Sequence, residues 1–236
     1  MIALGDKKME VRDYIKKEWV NYIREPSKEG KYEMPYPFIT TQKDYDLQFY
    51  WDIYFINKAI TIDGYFEYAL NHVNNFLHAV RFFGYCPNSL SLNGAKWNLQ
   101  PPLLSLMVKD VYETSKDKKW LKEALDTLLI DYKYWMDNRY DEKSNLNFYD
   151  VLISKEEDFL SYFDYVSTRV ELDKNVSKER KISIARNYIA QAETGEDFTE
   201  RLSKLEDPKI LSIGLNSHLY GYEKNIAYFY NELGDT

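Results

Sequence analysis

Apolar residues recur at intervals of three and four over one long stretch of this chain after another, and that spacing constrains the fold more than any other feature. From Lys118 to Met136 the positions Trp120, Leu121, Ala124, Leu125, Leu128, Tyr132, Trp135 and Met136 fall on one helical stripe, with Lys119, Lys122, Asp126 and Lys133 opposite and Asp117 placed to start the helix. Gly64 to Phe83 behaves alike: Phe66, Ala69, Leu70, Val73, Phe76, Leu77, Val80 and Phe83 face inward, with Asp63 as N-cap and Gly84 as the stop. Weaker versions of the pattern cover 8–23, 48–60, 101–114, 156–170, 177–191 and 215–233, and no alternating strand competes with them. About eight helices joined by short connections predict an all-α fold of paired antiparallel helices, in a single helical domain over 1–236. Three loop-like stretches remain, Arg24 to Asp46, Tyr85 to Gln100 and Asp137 to Tyr149, and in such a fold chemistry gathers at loops facing a common mouth.

Composition narrows the partners. With 44% hydrophobic and 17% aromatic residues the chain can bury a sizeable core, which excludes a disordered or low-complexity protein. A formal net charge of −7 repels phosphate backbones and anionic bilayers, so neither nucleic acid nor a membrane is expected as a partner. No window holds eighteen apolar residues and the first residues lack a secretory signal core, so a cytoplasmic protein is expected. The one cysteine, Cys86, reads as a small buried hydrophobe. His72, His78 and His218 form no ligand pattern, and no nucleotide-binding motif is present, so no metal and no cofactor is expected.

Three segments carry chemistry. In Phe49-Tyr50-Trp51-Asp52-Ile53-Tyr54-Phe55 one carboxylate interrupts a run of aromatics, so Asp52 has either to reach solvent or to meet a polar ligand. A sugar is a natural ligand there, with an apolar face for Trp51 and hydroxyls for Asp52. The second segment runs from Cys86-Pro87-Asn88 to Trp97-Asn98-Leu99-Gln100-Pro101-Pro102, where the amides of Asn88 and Gln100 either bind hydroxyls or close the loop. The third is Glu193-Thr194-Gly195-Glu196-Asp197-Phe198-Thr199-Glu200-Arg201. On a continuous helix Glu193, Asp197 and Arg201 make an exposed charge ladder, but Gly195 favours a turn that presents Asp197 to a cavity.

In content and in order these segments resemble the trehalases and the processing α-glucosidases, families 37 and 63 of the glycoside hydrolases. Trp51-Asp52-Ile53-Tyr54-Phe55 is similar to a Trp-Asp-Ser-Tyr-Phe signature, and Cys86-Pro87-Asn88 and Gln100-Pro101-Pro102 to Ile-Pro-Asn and Gln-Pro-Pro. Glu193 to Arg201 resembles Glu-Ser-Gly-Trp-Asp-Phe-Ser-Ser-Arg, and Leu215-Asn216-Ser217-His218-Leu219-Tyr220 with Glu223 is similar to a helix that follows it. The resemblance spans roughly 35–234 and implies part of an (α/α)6 barrel of twelve helices, about half to two-thirds of it. It implies Asp197 as general acid and Trp51, Asp52, Asn88, Gln100 and Arg201 as sugar-binding residues.

The sequence also departs from that pattern. Thr41-Gln42-Lys43-Asp44 stands where trehalases carry Pro-Gly-Gly-Arg, Asn98 stands in place of another arginine, and Glu196 in place of a tryptophan. The family's general base, a glutamate, lies beyond the matched segment, and inverting hydrolysis needs such a base about 6.5–9.5 Å from the acid, across the sugar. The resemblance therefore implies inverting hydrolysis of a small glucoside once a complementary C-terminal half supplies the base, with self-association as another way to cover open helix faces. A non-catalytic helical half-barrel that binds carbohydrate or a protein is the alternative.

Overall fold

The computed structural model describes residues 4–26, 34–91, 98–152, 155–196 and 209–234. It is all-α, with eight helices among the described residues: α1 (Leu4–Glu18), α2 (Tyr50–Ile62), α3 (Phe66–Phe83), α4 (Leu104–Ser115), α5 (Lys118–Asn138), α6 (Glu156–Val166), α7 (Lys178–Glu193) and α8 (Ile213–Leu233). Consecutive helices pack on one another as hairpins, α2 with α3, α4 with α5 and α6 with α7, and α8 lies across α4 and α5.

Local chemistry sets the helix ends. Asp117 accepts from the N–H groups of Lys119 and Trp120 and so starts α5, as its sequence predicts. Ser177 and Ser212 cap α7 and α8 in the same way. Gly84 ends α3 in the left-handed conformation at φ 83°, its N–H returning to the Val80 carbonyl. Asp63 departs from expectation. It closes α2 rather than opening α3, and its carboxylate accepts from Trp19 Nε1 at 2.8 Å, a partner that a local reading cannot see.

The strands were not anticipated. β1 (Ile23–Arg24) pairs with β2 (Phe38–Ile39), β3 (Leu47–Phe49) with β4 (Ser89–Ser91), and β5 (Tyr140–Asp141) with β6 (Leu146–Asn147), all antiparallel. Two or three residues are too few to show alternation. The β3–β4 ladder matters most, because it joins the chain entering α2 to the chain leaving α3.

The main core is shared by α2 to α5 and α8, through Ile53, Val73, Phe76, Val80, Leu104, Met107, Leu128, Tyr222 and Phe229. Phe159, Phe163, Ala185 and Ile189 make a separate core between α6 and α7. Cys86 lies in the main core, the buried hydrophobe its sequence context suggests. His72 is a structural tie: its Nε2 accepts from Ile39 N at 2.8 Å, which leaves the Nδ1 proton for Asn57 Oδ1 at 2.6 Å, and burial holds its pKa down to about 3.

Asp131 on α5 is 1% exposed and accepts from Cys86 N at 2.7 Å and from Tyr222 Oη at 3.1 Å. Burial pushes its carboxyl up to about 6, against the pull of those two donors. Because the folded value lies above the ordinary 3.8, Asp131 favours the fold most at low pH, and that contribution is lost as pH rises through about 6. Asp131→Asn removes the titration. Urea unfolding at pH 4 and pH 8 is expected to show wild type losing about 2 kcal/mol relative to the variant across that interval; parallel pH dependences would refute this.

Candidate active site

The site is built around the start of α2. Phe49 offers no side-chain cap there, so the first N–H donors of the helix look outward for acceptors. Tyr50 N donates to the Asn88 carbonyl at 2.8 Å and Trp51 N donates to Gln100 Oε1 at 3.0 Å. The amide oxygen of Gln100 therefore closes the loop, one of the two roles open to it from sequence. These bonds bring the first and second motif segments together and set Asp52 in the first turn of α2, where the positive end of the helix dipole favours a carboxylate.

Asp52, Asn88 and Gln100 line one cleft of about 350 Å³, together with Asn98 and Ala192. Asn88 is 8% exposed; its Nδ2 donates to Asn98 Oδ1 at 3.2 Å, and its own Oδ1 has no hydrogen-bond partner among the described residues. Trp51 does not line this cleft. It is half-buried against the main core, with Phe55 edge-on at 5.7 Å.

The third segment arrives through Glu193, the last residue of α7. Far from standing on an exposed ladder, Glu193 is fully buried. Its Oε1 accepts from Leu99 N at 3.0 Å and from the Arg139 guanidinium at 3.2 Å, and its Oε2 accepts from Asp150 N at 3.1 Å. Arg139 is 3% exposed, so this is a buried ion pair. Burial pushes the Glu193 carboxyl up to about 7, opposed by Arg139 and the two amides. Spacing four residues from Asp197 says nothing of partners 54 and 94 residues away.

Beyond Glu193 the helix stops, and Gly195 turns at φ 75°. A β-carbon at Gly195 would lie 3.7 Å from the Pro101 ring and 3.7 Å from the Trp51 indole. This is the turn that the glycine suggested, and it seats Gly195 itself against Trp51 of the first segment and Pro101 of the second. Asp197 and Arg201 lie outside the described residues.

Sequence reasoning missed the other wall. Tyr162 and Tyr165 of α6 and Arg169 in the turn after it line the cleft, as do Thr41, Gln42 and Tyr45. The signal was present in the spacing of Tyr162, Tyr165 and Arg169 by three and four on one helical face, but no motif drew attention to it. An exposed carboxylate, four amides, aromatic rings and one guanidinium form a lining suited to a ligand rich in hydroxyls. Among the described residues, no three His, Cys, Asp or Glu side chains gather as a metal site.

The family model described as Trehalase matches residues 3–236. The chain belongs to the trehalase family. Similar trehalases include that of Arabidopsis thaliana, 28% identical over 221 residues that make up 86% of this chain and 34% of that protein. The Homo sapiens trehalase is 27% identical over 85% of this chain and 36% of its own length, and the periplasmic trehalase of Shigella flexneri is 25% identical over 96% and 43%. Among solved structures, the neutral trehalase Nth1 from Saccharomyces cerevisiae shares the fold with a TM-score of 0.66 at 19% identity, over 94% of this chain and 46% of that one. The all-α architecture thus resembles part of the trehalase (α/α)6 barrel, and the chain spans about a third to under half of the relatives it matches. No described helix is long and apolar enough to cross a membrane.

Proposed function

We propose that this chain is the carbohydrate-binding part of a trehalase-type inverting glycoside hydrolase. The observation that carries this reading is the convergence of Asp52, Asn88 and Gln100 on one cleft, with the Gly195 turn packed beside it. Asp52 accepts hydrogen bonds from sugar hydroxyls, the amides of Asn88 and Gln100 serve further hydroxyls, and Trp51 stiffens the wall behind them. Asp197 is assigned as the general acid and Arg201 as a sugar-binding cation, on their places in the motif. The general base is assigned to a complementary C-terminal part, so this chain alone binds without turnover.

Titration calorimetry with trehalose tests the binding. Saturable heat is expected, and Asp52→Ala is expected to weaken affinity on the order of tenfold to a hundredfold, the worth of a charge-assisted hydrogen bond. No heat with trehalose, maltose or glucose would refute the reading.

A further inference from the structure

The two described ends of one segment, 86–91 and 98–100, supply the cleft with Asn88, Asn98 and Gln100. They are tied to each other: Asn88 N donates to the Asn98 carbonyl at 2.9 Å, and the two side-chain amides meet at 3.2 Å. Both also hold the start of α2, one through the Asn88 carbonyl and the other through Gln100 Oε1. Away from the cleft, each end is pinned by a buried carboxylate. Cys86 N donates to Asp131 Oδ1 at 2.7 Å, and Leu99 N donates to Glu193 Oε1 at 3.0 Å. Pro87 has no N–H to give, so Cys86 carries the last backbone donor before Asn88.

α5 organises both pins. Asp131 lies on it, and Arg139, about two turns further along at its C-terminal end, pairs with Glu193. A carboxylate buried this deeply carries a desolvation cost that its donors must offset, and an amide bound to an anion is held more tightly than one bound to a neutral acid. The groups facing Asp131 are Cys86, Tyr50 and Tyr222, and those facing Glu193 are Arg139, Tyr85, Tyr134, Tyr149, Asp150 and Glu196. Burial pushes the thiol and all of these tyrosines up, so they stay neutral near pH 7.

We propose that Asp131 and Glu193 are positioning residues for the sugar site: as anions they clamp the two ends of the amide-bearing segment, and the affinity of the cleft depends on that clamp. The proposal rests on the carbohydrate reading above.

The clamp and the fold answer to pH with opposite signs. Burial pushes the two carboxyls up, to about 6 and about 7, so their contribution to folding is lost as pH rises through those values. The bonds from Cys86 N and Leu99 N strengthen over the same interval, because their acceptors become charged. A merely structural pair would leave sugar affinity level with pH, or lower it as the fold weakens.

Titration calorimetry with trehalose from about pH 5 to about pH 8.5 tests the clamp. Wild-type affinity is expected to rise with pH on the order of tenfold. Asp131→Asn and Glu193→Gln each keep an oxygen acceptor, and each is expected to remove part of the rise; together they are expected to level it to within about twofold. In amide NMR spectra of the wild type the Cys86 and Leu99 signals are expected to move with pH, the first movement abolished by Asp131→Asn and the second by Glu193→Gln. The wild-type profile and signals need no variant, so the test holds even where a variant fails to fold. A wild-type affinity that is level or falls with pH overturns the clamp and leaves the carbohydrate reading standing, as does a rise that the double variant retains. A wild type that takes up no trehalose, maltose or glucose across that range overturns the carbohydrate reading and the clamp with it.

Discussion

Glu193→Ala is expected to lower the stability of the fold by about 3–5 kcal/mol, the cost of removing one partner from a buried ion pair. Two losses combine. The Arg139 guanidinium stays buried with its countercharge gone, and the N–H groups of Leu99 and Asp150 lose the carboxylate that accepts from them. In a chain of this size that corresponds to a fall in melting temperature of roughly 10 °C. Glu193→Gln keeps the shape and an acceptor but turns an amide NH2 toward a donor, so an intermediate loss is expected. Thermal and urea unfolding check both, and a change within 1 kcal/mol for the alanine variant would mean that the pair is not worth what its burial implies. Since Leu99 lies next to Gln100, the same variant is expected to loosen the loop that caps α2 and so to weaken trehalose binding as well.

Asp197→Asn is expected to abolish most hydrolysis in the completed enzyme while leaving binding nearly intact. Under the proposed function, a mixture of this chain with the C-terminal portion of a trehalase, such as that of Arabidopsis thaliana, releases glucose from trehalose. Asparagine keeps the size of the side chain but has no proton to give to the glycosidic oxygen, and general acid catalysis is worth about 10²–10⁴ in rate. Glucose release is therefore expected to slow by that factor, with the trehalose affinity of this chain within a few-fold of wild type. A reconstituted activity that Asp197→Asn leaves unchanged would remove Asp197 from the role of acid.

The helices were legible because their signals are local. Asp117, Ser177 and Gly84 act within one turn of their own helices, and the apolar stripe of α5 buries Leu121, Ala124, Leu125, Leu128 and Trp135 as its spacing predicts. Asp63 was misread because an acceptor between two helices satisfies either one, and its choice is made by Trp19, which is 44 residues away. The same physics separates what was seen from what was missed in the cleft. Asp52, Asn88 and Gln100 stand out as polar residues in apolar or proline-rich company, and the cleft gathers all three. Tyr162 and Tyr165 sit on an ordinary amphipathic helix and Arg169 in the turn after it, where aromatic and basic residues have many structural uses, so only the placement of α6 brings them to the cleft. Glu193 was legible as a motif member but not as a buried one, because its partners come from three other parts of the chain.

The way α8 seals the main core sets the order of events at the ribosome. Tyr222 reaches back to Asp131, Asn225 to Ser105, and Tyr112 to Glu232, across 91 to 120 residues. A nascent chain that has already made α3, α4 and α5 still lacks Tyr222 and Phe229, so its half-finished interior stays wet and sticky until α8 emerges. Productive collapse must wait for nearly the whole of this sequence to be translated, which makes a shielding chaperone most useful during that interval.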